Sequence, residues 1–443
     1  MLPTQRTYGL LVAGGAIATV LSSFAQVPSR MSLALLTLLC FDGVILLAML
    51  WDGWRVRSRR AVLSRKLSQR LSIGRDNLVE LFVESKADAE LLIYDSYPVE
   101  FAGQEMPLRA VISAEAKAPL VYTVKPHKRG EYAWGDIEVR QRGPLKLAWS
   151  QWKVPAAQKV AVYPDLIGLR QLSIRLAMQS TGTLKQKRRL GVGTEFAELK
   201  EYDVGDDPRF IDWKATARRS QPLVRVLEPE REQTLVILLD RGRLMTAQVQ
   251  GLTRFDWGLN ATLALALAGI TRGDRVGIGI FDRKMHTWMP PRRGHPYLQQ
   301  MIEQLTPIQP DFVESDYLGA VTQVVRAQHR RALVVVLTDV VDKTASAELL
   351  SGLVRLRPRY LPLCVTLRDP QMDLRAKTAH SETAQSDIVG AYERAVAIDL
   401  IAQRQAALSQ LKQSGVLVLD APANGVTDAL VEQYLKIKAR ARL

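Results

Sequence analysis

Two long apolar stretches stand at the start of the chain. The stretch Thr7–Ser29 contains no charged residue, and Asp42 is the one charged residue of the stretch Met31–Trp51. At about 1.5 Å per residue, each stretch is long enough to cross a bilayer core of ~30 Å as a helix. The pattern predicts a transmembrane helical hairpin over residues 1–52, with a cleaved signal peptide as the alternative for the first stretch.

Asp42 lies near the middle of the second stretch. A carboxylate at that depth is costly, so we expect it to hydrogen-bond to the neighbouring helix or to lie at an oligomer contact. Small residues such as Gly14 would let the two helices pack closely. A proton relay would need partner residues, and the first stretch offers none.

A basic segment follows the second stretch. Eight basic residues and no acid occur between Arg55 and Arg75. We call residues 53–70 the basic collar. The positive-inside rule places this side of the membrane in the cytoplasm, which predicts that the bulk of the chain is a cytoplasmic body tethered to the membrane. We expect the collar to bind anionic lipid, with nucleic acid as the weaker alternative.

Five runs of rough apolar–polar alternation come next, separated by turn residues at roughly ten-residue intervals. This rhythm predicts an antiparallel β-sandwich over residues 71–165. The runs are Asp76–Ser85, Ala89–Ser96, Met106–Glu115, Ala118–Pro126 and Trp134–Arg142.

The pattern changes again in residues 233–443, where continuous apolar strands alternate with segments of helical spacing. This predicts an α/β domain with a mostly parallel sheet covered on both faces. Doubly wound sheets commonly have strand order 3-2-1-4-5-6, which makes strands one and four neighbours. Strand one ends at Asp240 and strand four at Thr338 and Asp339. We expect these side chains at one crevice, where two carboxylates and a hydroxyl are ligands that suit Mg²⁺.

Composition excludes several kinds of site. The net charge of +15 favours an acidic partner such as phospholipid, nucleic acid or an acidic protein. The two cysteines, Cys40 and Cys364, cannot form a disulfide framework, and the five histidines show no metal-ligand spacing. The sequence has no phosphate-binding loop and no Gly-x-Ser-x-Gly elbow. We therefore expect no enzymatic activity and no cofactor.

A charged strip, Gly193–Arg219, lies in the linker region 166–232. Acids and bases alternate through it, around Phe210, Ile211 and Trp213, which are spaced like residues that pack. Two local structures are expected within the strip. The run Asp206-Asp207-Pro208 predicts a turn in which proline opens a short helix, and Asp212 predicts the N-cap of a second one.

Two interpretations of the strip stay open. As a clamp, its bases (Arg209, Lys214, Arg218 and Arg219) would pair with its own acids, and its aromatics would pack against a flanking domain. As a docking surface, it would contact an acidic or basic groove of a partner. An enzymatic role is not expected, because no nucleophile or histidine accompanies the acids. The candidate residues are Glu195, Tyr202, Asp206, Asp207, Arg209, Asp212, Trp213 and Arg218.

The strip closely resembles the signature of the bacterial family known as domain of unknown function 58. The resemblance extends to the two apolar stretches, the β-rich segment and the α/β segment, where the family has a von Willebrand factor type A-like domain. It implies a role in the assembly or maturation of other proteins. It also implies an AAA+ ATPase of the MoxR type as the partner.

The resemblance further implies a degenerate metal-ion-dependent adhesion site. Its Asp-x-Ser-x-Ser element corresponds to Asp240–Leu244, in which glycine and leucine replace both hydroxyl residues. Asp339 matches the later aspartate, and Ser315 or Asp316 substitutes for the intermediate threonine. With two oxygen ligands missing, any Mg²⁺ would bind weakly.

Arg241 and Arg243 offer a metal-free solution, in which guanidinium groups neutralise Asp240 and Asp339.

Three functions follow from these features. We expect a membrane-anchored adaptor without catalytic activity. The alternatives are a Mg²⁺-dependent enzyme or adhesion-type site at the two aspartates, and a nucleic-acid binder, which is disfavoured because no reading module occurs.

Overall fold

The computed structural model describes residues 1–23, 28–183, 195–228, 233–341, 346–357, 359–377 and 388–439. The chain divides into two compact units, Met1–Tyr163 and Pro164–Leu443. The chain is therefore multidomain, as its changes of pattern predict.

The N-terminal unit begins with a short strand and two helices, which are β1 (Leu2–Pro3), α1 (Gln5–Ser23) and α2 (Pro28–Ser58). Within the described residues, the segment Leu35–Ser58 of α2 is the stretch long and apolar enough to cross a membrane, with a mean hydropathy of 2.0 over its best window. The structure thus supports one candidate span, and a span in α1 stays a prediction.

Helix α1 packs closely on helix α2 at Gly14. A β-carbon built on Gly14 would lie 2.6 Å from the Phe41 ring and 3.0 Å from Oδ1 of Asp42. Asp42 Oδ1 is buried and has no hydrogen-bond partner among the described residues. The close approach at Gly14 fits the expectation from its small size, whereas the hydrogen bond expected between the helices is not made by this oxygen.

The end of α2 is fixed to the β-structure of its own unit. Asp52 is fully buried, and its carboxylate accepts hydrogen bonds from the backbone N–H groups of Leu145, Leu147 and Ala148 at 2.8–3.0 Å. On α1, the Thr7 hydroxyl donates to the Leu147 carbonyl at 2.5 Å. Both helices are therefore attached to the same turn before a β-strand.

Eleven further strands complete the N-terminal unit. They are β2 (Val62–Leu67), β3 (Arg70–Ser72), β4 (Asn77–Glu84), β5 (Ala89–Asp95), β6 (Phe101–Gly103), β7 (Leu108–Ile112), β8 (Lys117–Pro126), β9 (Gly130–Trp134), β10 (Ile137–Arg142), β11 (Ala148–Val154) and β12 (Gln158–Tyr163). They form a five-stranded sheet β1-β11-β10-β5-β7, a four-stranded sheet β2-β4-β8-β6 and a three-stranded sheet β3-β12-β9. Pairing is antiparallel except between β3 and β12. A sandwich arrangement of these sheets stays a prediction.

Arg65 does not belong to an exposed basic collar. It lies on β2, and its buried guanidinium pairs with the buried carboxylate of Asp95 on β5 at 2.5 Å. Tyr122 on β8 and Trp134 on β9 also donate to Asp95, at 2.7 and 3.0 Å. Burial, followed by the charge of Asp95, raises the pKa of Tyr122. This arginine is a structural cation, and the collar loses it as a lipid contact.

The C-terminal unit begins with helix α3 (Leu166–Thr183), which the sequence analysis left in the linker region. The charged strip follows. It contains strand β13 (Glu195–Glu201), which pairs antiparallel with β14 (Leu223–Glu228). A 3-10 helix, Pro208–Phe210, and the short helix α4 (Trp213–Arg219) lie between these strands.

The remaining elements build the α/β core. They are β15 (Thr234–Asp240), β16 (Gln248–Val249), β17 (Leu252–Thr253), α5 (Arg254–Thr271), β18 (Arg275–Phe281), β19 (Met285–Arg292), α6 (His295–Leu305), α7 (Tyr317–Ala327), β20 (Leu333–Thr338), α8 (Ala347–Leu356), β21 (Leu361–Arg368), α9 (Pro370–Lys377), α10 (Ile388–Gln413), β22 (Leu417–Pro422) and α11 (Val426–Ala439).

Six of these strands form one mixed sheet in the order β19-β18-β15-β20-β21-β22. Counted along the chain, this is the predicted order 3-2-1-4-5-6. The strands are parallel except for β19, which pairs antiparallel with β18. Every residue of β15 and β20 is buried, as expected for central strands covered on both faces.

Candidate functional site at the carboxyl edge of the sheet

Asp240 ends β15, beside Thr338 at the end of the neighbouring strand β20. Its side chain is buried, and each oxygen accepts two hydrogen bonds. Oδ1 accepts from the Ser315 hydroxyl at 2.5 Å and from the Gly242 N–H at 2.8 Å. Oδ2 accepts from the Thr338 hydroxyl at 2.7 Å and from the Tyr317 hydroxyl at 3.0 Å. The carboxylate is thus fully hydrogen-bonded by neutral donors.

Two opposing effects act on the pKa of Asp240. Burial, the larger effect, raises it, and the hydrogen bonds from Ser315, Gly242, Thr338 and Tyr317 lower it, with a net shift upward. Neutral donors stabilise a buried anion less than a cation would. No arginine or lysine of the described residues pairs with Asp240, so its charge is held without a counter-charge.

Gly242 is the position at which the adhesion-type element would carry its first serine. A β-carbon built on Gly242 would lie 2.1 Å from the Ser315 Oγ, 2.8 Å from the Val313 carbonyl oxygen and 3.1 Å from the Asp240 Oδ1. The Ser315 hydroxyl therefore occupies the space that a side chain at position 242 would need. The hydroxyl group of Ser315 thus lies where the serine of the adhesion-type element would be expected.

Asp339 follows β20 and has different partners from Asp240. Its Oδ1 accepts a hydrogen bond from Arg404 of α10 at 2.5 Å, and its Oδ2 forms an ion pair with Arg254 of α5 at 2.9 Å. Arg404 also reaches Asp420, at 3.1 Å. A guanidinium does neutralise Asp339, but the residues are Arg254 and Arg404.

The sequence-based assignment of Arg241 and Arg243 to the two aspartates is therefore wrong. Arg241 forms ion pairs with Asp282 at 2.9 Å and with Asp311 at 3.3 Å. Arg243 forms an exposed pair with Glu314 at 2.7 Å. Both arginines follow Asp240 in sequence but turn toward the loop that precedes α7.

That loop, residues 311–316, is held against the sheet edge by its backbone. The Asp311 N–H donates to the Arg241 carbonyl at 2.8 Å, and the Asp316 N–H donates to the Asp282 carbonyl at 2.9 Å. Between these points, Phe312 has 79% of its surface exposed. An exposed aromatic side chain therefore stands on a fixed loop, directly beside the buried site.

The charged strip lies at a separate place in the C-terminal unit. Asp207 accepts from the Arg209 N–H at 3.0 Å and caps the 3-10 helix that Pro208 opens. Asp212 caps α4 by accepting from the N–H groups of Lys214 and Ala215, both at 3.0 Å. Both local structures are those that the sequence predicts.

Other expectations for the strip are wrong. Trp213 is 71% exposed and does not pack, while Phe210 and Ile211 are half-buried. Asp206 pairs with Lys200 at 2.7 Å and Asp212 with Arg225 at 2.9 Å, so these acids use bases other than those expected. Tyr202 joins the strip through its backbone, donating to the Pro222 carbonyl. Arg218 lies exposed on α4. The side chain of Glu195 lies outside the described part of the chain, as does the basic segment 184–193.

The strip and most of the α/β core fall in one family match. Residues 198–377 match the family model described as protein of unknown function DUF58. Over these residues the chain is similar to the DUF58 family. The resemblance of the strip to this family is thereby confirmed.

Curated relatives of this chain are themselves uncharacterised. It is 28% identical over 151 residues to the uncharacterized protein Rv1480 of Mycobacterium tuberculosis, which covers 34% of this chain and 48% of the relative. It is 25% identical over 109 residues to the uncharacterized protein YeaD of Bacillus subtilis, which covers 25% of each chain. The chain spans about half the length, or less, of the curated relatives it matches.

Solved structures similar to this chain include von Willebrand factor type A-like domains. A conserved hypothetical protein, BatB from Bacteroides thetaiotaomicron, is 14% identical, with a TM-score of 0.32, and covers 47% of this chain and 99% of its own. The SpRpn10 VWA domain is 11% identical, with a TM-score of 0.30, and covers 45% and 94%.

A divalent cation does not fit the side chains of this site. Both oxygens of Asp240 are occupied by hydrogen bonds, Asp339 is paired with two arginines, and Gly242 supplies no hydroxyl. Within the described residues, no cluster of three histidine, cysteine or acidic side chains suits a metal ion. Of the proposed ligands, the fold brings Asp240 and Ser315 into contact, whereas Asp339 has other partners.

Sequence reasoning missed three functional side chains of this edge. Tyr317 is the first residue of α7, two positions after Ser315, and a helix start at that edge was a signal for it. Arg254 opens α5 in the same way. Arg404 lies in the middle of α10, where nothing in the local pattern distinguishes it from other surface arginines.

Proposed function

We propose that this protein is a membrane-anchored, non-catalytic adaptor whose C-terminal unit binds partner proteins at the carboxyl edge of its sheet. The partner class is an AAA+ ATPase of the MoxR type, and the process is the assembly or maturation of other proteins. The anchor is a helical hairpin of two spans in the bacterial inner membrane, with most of the chain in the cytoplasm. A β-sandwich lies between the anchor and the C-terminal unit.

The observation that carries this proposal is Phe312. With 79% of its surface exposed, Phe312 offers a large aromatic side chain to a partner, and covering such a side chain is favourable. Here it is held on a loop with a fixed backbone, so little conformational entropy is lost on binding. The exposed pair Arg243–Glu314 provides a polar rim beside it. An apolar anchor with a polar rim is typical of a protein-binding surface.

The buried groups at the same edge support a role without chemistry. Each oxygen of Asp240 is saturated with hydrogen bonds, and Asp339 is enclosed by Arg254 and Arg404. A nucleophile or general base needs a free lone pair directed at a substrate. The lone pairs of these carboxylates instead accept hydrogen bonds from neighbouring donors, and the bond from Ser315 to Asp240 holds the loop 311–316 in place.

The membrane anchor is supported by the end of α2. Trp51 and Trp54 are exposed there, and Arg55 stacks on the Trp51 ring at 6.0 Å. Tryptophan and arginine at the end of an apolar helix are typical of a membrane interface. Arg57 and Arg60 are exposed close by and retain the expected role in binding anionic lipid.

The test uses the full-length chain in nanodiscs and a purified MoxR-type ATPase from the same genome, with a non-hydrolysable ATP analogue. We expect binding that Phe312→Ser weakens by about tenfold or more, as for an aromatic interface anchor. Leu374→Ser is the matched control, because Leu374 is 65% exposed on α9 of the same unit.

Equal binding by the Phe312→Ser and Leu374→Ser variants would remove Phe312 as the anchor of the contact. Absence of binding by the wild-type chain would remove this class of ATPase as the partner. Partition of the chain into the soluble fraction after carbonate extraction would remove the anchor.

A further inference from the structure

The charged strip uses its acids to hold its own backbone. Asp207 and Asp212 cap the two short helices, and Asp206 pairs with Lys200 while accepting from the Asp203 N–H at 3.0 Å. The hydrogen bond from Lys200 lowers the pKa of Asp206, and the backbone N–H of Ala215 lowers that of Asp212. These acids are committed to the fold as anions.

Apart from Lys200, the bases of the strip have no such use. Arg209, Lys214, Arg218 and Arg219 are exposed, and no ion pair or hydrogen bond joins their side chains to any described residue. Arg218 and Arg219 lie in the last turn of α4, where the helix dipole favours a cation. That effect does not explain Lys214 in the first turn or Arg209 outside the helix. The part of the strip from Arg209 to Arg219 is therefore positively charged on its surface, because its one acid, Asp212, caps α4 and pairs with Arg225.

Trp213 stands among these cations. It is 71% exposed at the start of α4, a helix of seven residues that is only about 10 Å long. Lys214, Arg218 and Arg219 lie on this same short helix, and Arg209 precedes the tryptophan by four residues. Tryptophan and arginine are the residues that most often dominate binding energy at protein interfaces.

We propose that Trp213 and the cations Arg209, Lys214, Arg218 and Arg219 form a docking surface for an acid-rich segment of a partner protein. The indole fills an apolar pocket, and the cations face aspartate and glutamate side chains around it. This surface is distinct from the loop of Phe312, and the two can be tested separately.

The chemistry of the surface favours protein over the other polyanions. A lipid bilayer would require a broad apolar helix face, and besides Trp213 helix α4 offers only two alanines and a threonine. Nucleic-acid binders commonly neutralise six to ten phosphates, about twice the cations available here. One aromatic anchor with a few flanking cations matches a short acidic peptide segment.

The experiment places the photo-crosslinking residue p-benzoylphenylalanine at position 213 of the full-length chain in cells. We expect adducts with another protein, mapped by mass spectrometry to a segment rich in aspartate and glutamate. The same residue at Tyr392 is the position control, because Tyr392 is 71% exposed on α10.

The effect of charge reversal on the yield of the crosslinked adduct distinguishes a specific site from nonspecific contact. Lys214→Glu with Arg218→Glu should reduce the adduct about tenfold, since two exposed ion pairs are each reversed. Arg330→Glu with Arg331→Glu, which makes the same charge change at exposed positions before β20, should leave it unchanged. Equal thermal unfolding of both variants shows that the fold is kept.

The proposal is overturned by several results. Adducts with lipid, with nucleic acid or with residues 1–163 of the same chain would assign Trp213 to another contact, the last being the clamp. An adduct that survives Lys214→Glu with Arg218→Glu, or yields no greater than at Tyr392, would also overturn it. Neither result depends on whether Phe312 binds an ATPase.

Discussion

The α-carbon of Gly242 faces the hydroxyl of Ser315 so closely that a β-carbon there would lie 2.1 Å from the oxygen. Ser315 in turn donates to Asp240 at 2.5 Å. Position 242 must therefore lack a side chain for Ser315 to make its hydrogen bond to Asp240. Together they attach the loop 311–316 to the end of the first strand of the sheet.

Gly242→Ala should destabilise the C-terminal unit by about 1–3 kcal/mol, because the added methyl group displaces Ser315 from Asp240. Chemical denaturation followed by circular dichroism measures this. Gly352→Ala is the control, since a β-carbon there meets atoms at ordinary distances of 3.5 Å or more and alanine favours a helix. Adding Ser315→Ala to Gly242→Ala should restore part of the loss, and strict additivity of the two changes would contradict the contact.

Asp240→Asn should change how stability depends on pH. Burial raises the pKa of Asp240 above 3.8 in the folded state, so the folded state binds this proton more tightly than the unfolded state. The resulting stabilisation is complete below the unfolded pKa and is lost as the pH rises through the folded pKa. Relative to the Asn variant, the wild type should lose stability over that window.

Unfolding midpoints of both proteins across a pH series test this difference. Asp240→Ala completes the set, because it leaves donors such as Thr338 and Tyr317 without an acceptor and should be less stable than the Asn variant at every pH. Parallel pH curves for the wild type and the Asn variant would show that Asp240 keeps its ordinary pKa.

Arg404→Ala should destabilise the C-terminal unit by about 3 kcal/mol or more, because it leaves the buried Asp339 with a single arginine. Arg243→Ala is the comparison, since Arg243 pairs with Glu314 in an exposed position and such pairs contribute about 0–1 kcal/mol. Denaturation curves of the two variants measured side by side decide the matter. Similar losses of stability in the two variants would mean that the buried ion pair of Asp339 stabilises the unit no more than the exposed pair Arg243–Glu314 does.

Arg65→Ala should loosen the β-structure of the N-terminal unit by about 3–5 kcal/mol, since it removes the cation that faces the buried Asp95. Hydrogen exchange of β2 and β5 by mass spectrometry follows this unit separately from the rest of the chain. Lys66→Ala, which breaks the exposed pair with Glu80 at 3.5 Å, should change exchange little. If Lys66→Ala accelerated exchange as much as Arg65→Ala, burial of the pair would not be the cause.

Titration with Mg²⁺ should show no saturable binding up to about 1 mM, because the oxygens that would bind it already accept hydrogen bonds or face arginines. Isothermal calorimetry of the full-length chain measures this. Saturable heat that disappears in Asp240→Asn would reverse the assignment and restore a metal site at this edge.

The sheet was predictable because its strands are continuous apolar runs, and parallel strands meet at one edge by their carboxyl ends. That reasoning predicts from the sequence alone that Asp240 lies next to Thr338. It failed for Arg404, because 65 residues separate it from Asp339 and only the packing of α10 brings them together. It failed for Trp213 because spacing along a helix shows which residues share a face, and not whether anything covers that face.

Helix α3 was missed for a different reason. Leu169, Leu172 and Leu176 are buried at intervals of three and four residues, which is a helical pattern present in the sequence. The segment was treated as part of a linker because it lies between two regions of clearer rhythm. The helical spacing of its leucines was therefore present in the sequence, but the stronger patterns on either side determined how the segment was interpreted.

The buried carboxylate of Asp52 leaves no flexible joint between α2 and the β-structure that follows it. Three backbone N–H groups of the turn at Leu145–Ala148 donate to this carboxylate, just before strand β11. A bilayer that is thicker or thinner than the span changes the tilt of a membrane helix. Under the proposed membrane anchoring, a change in the tilt of α2 would pass through Asp52 to β11, and the N-terminal unit would act as a lever whose angle depends on the thickness of the bilayer.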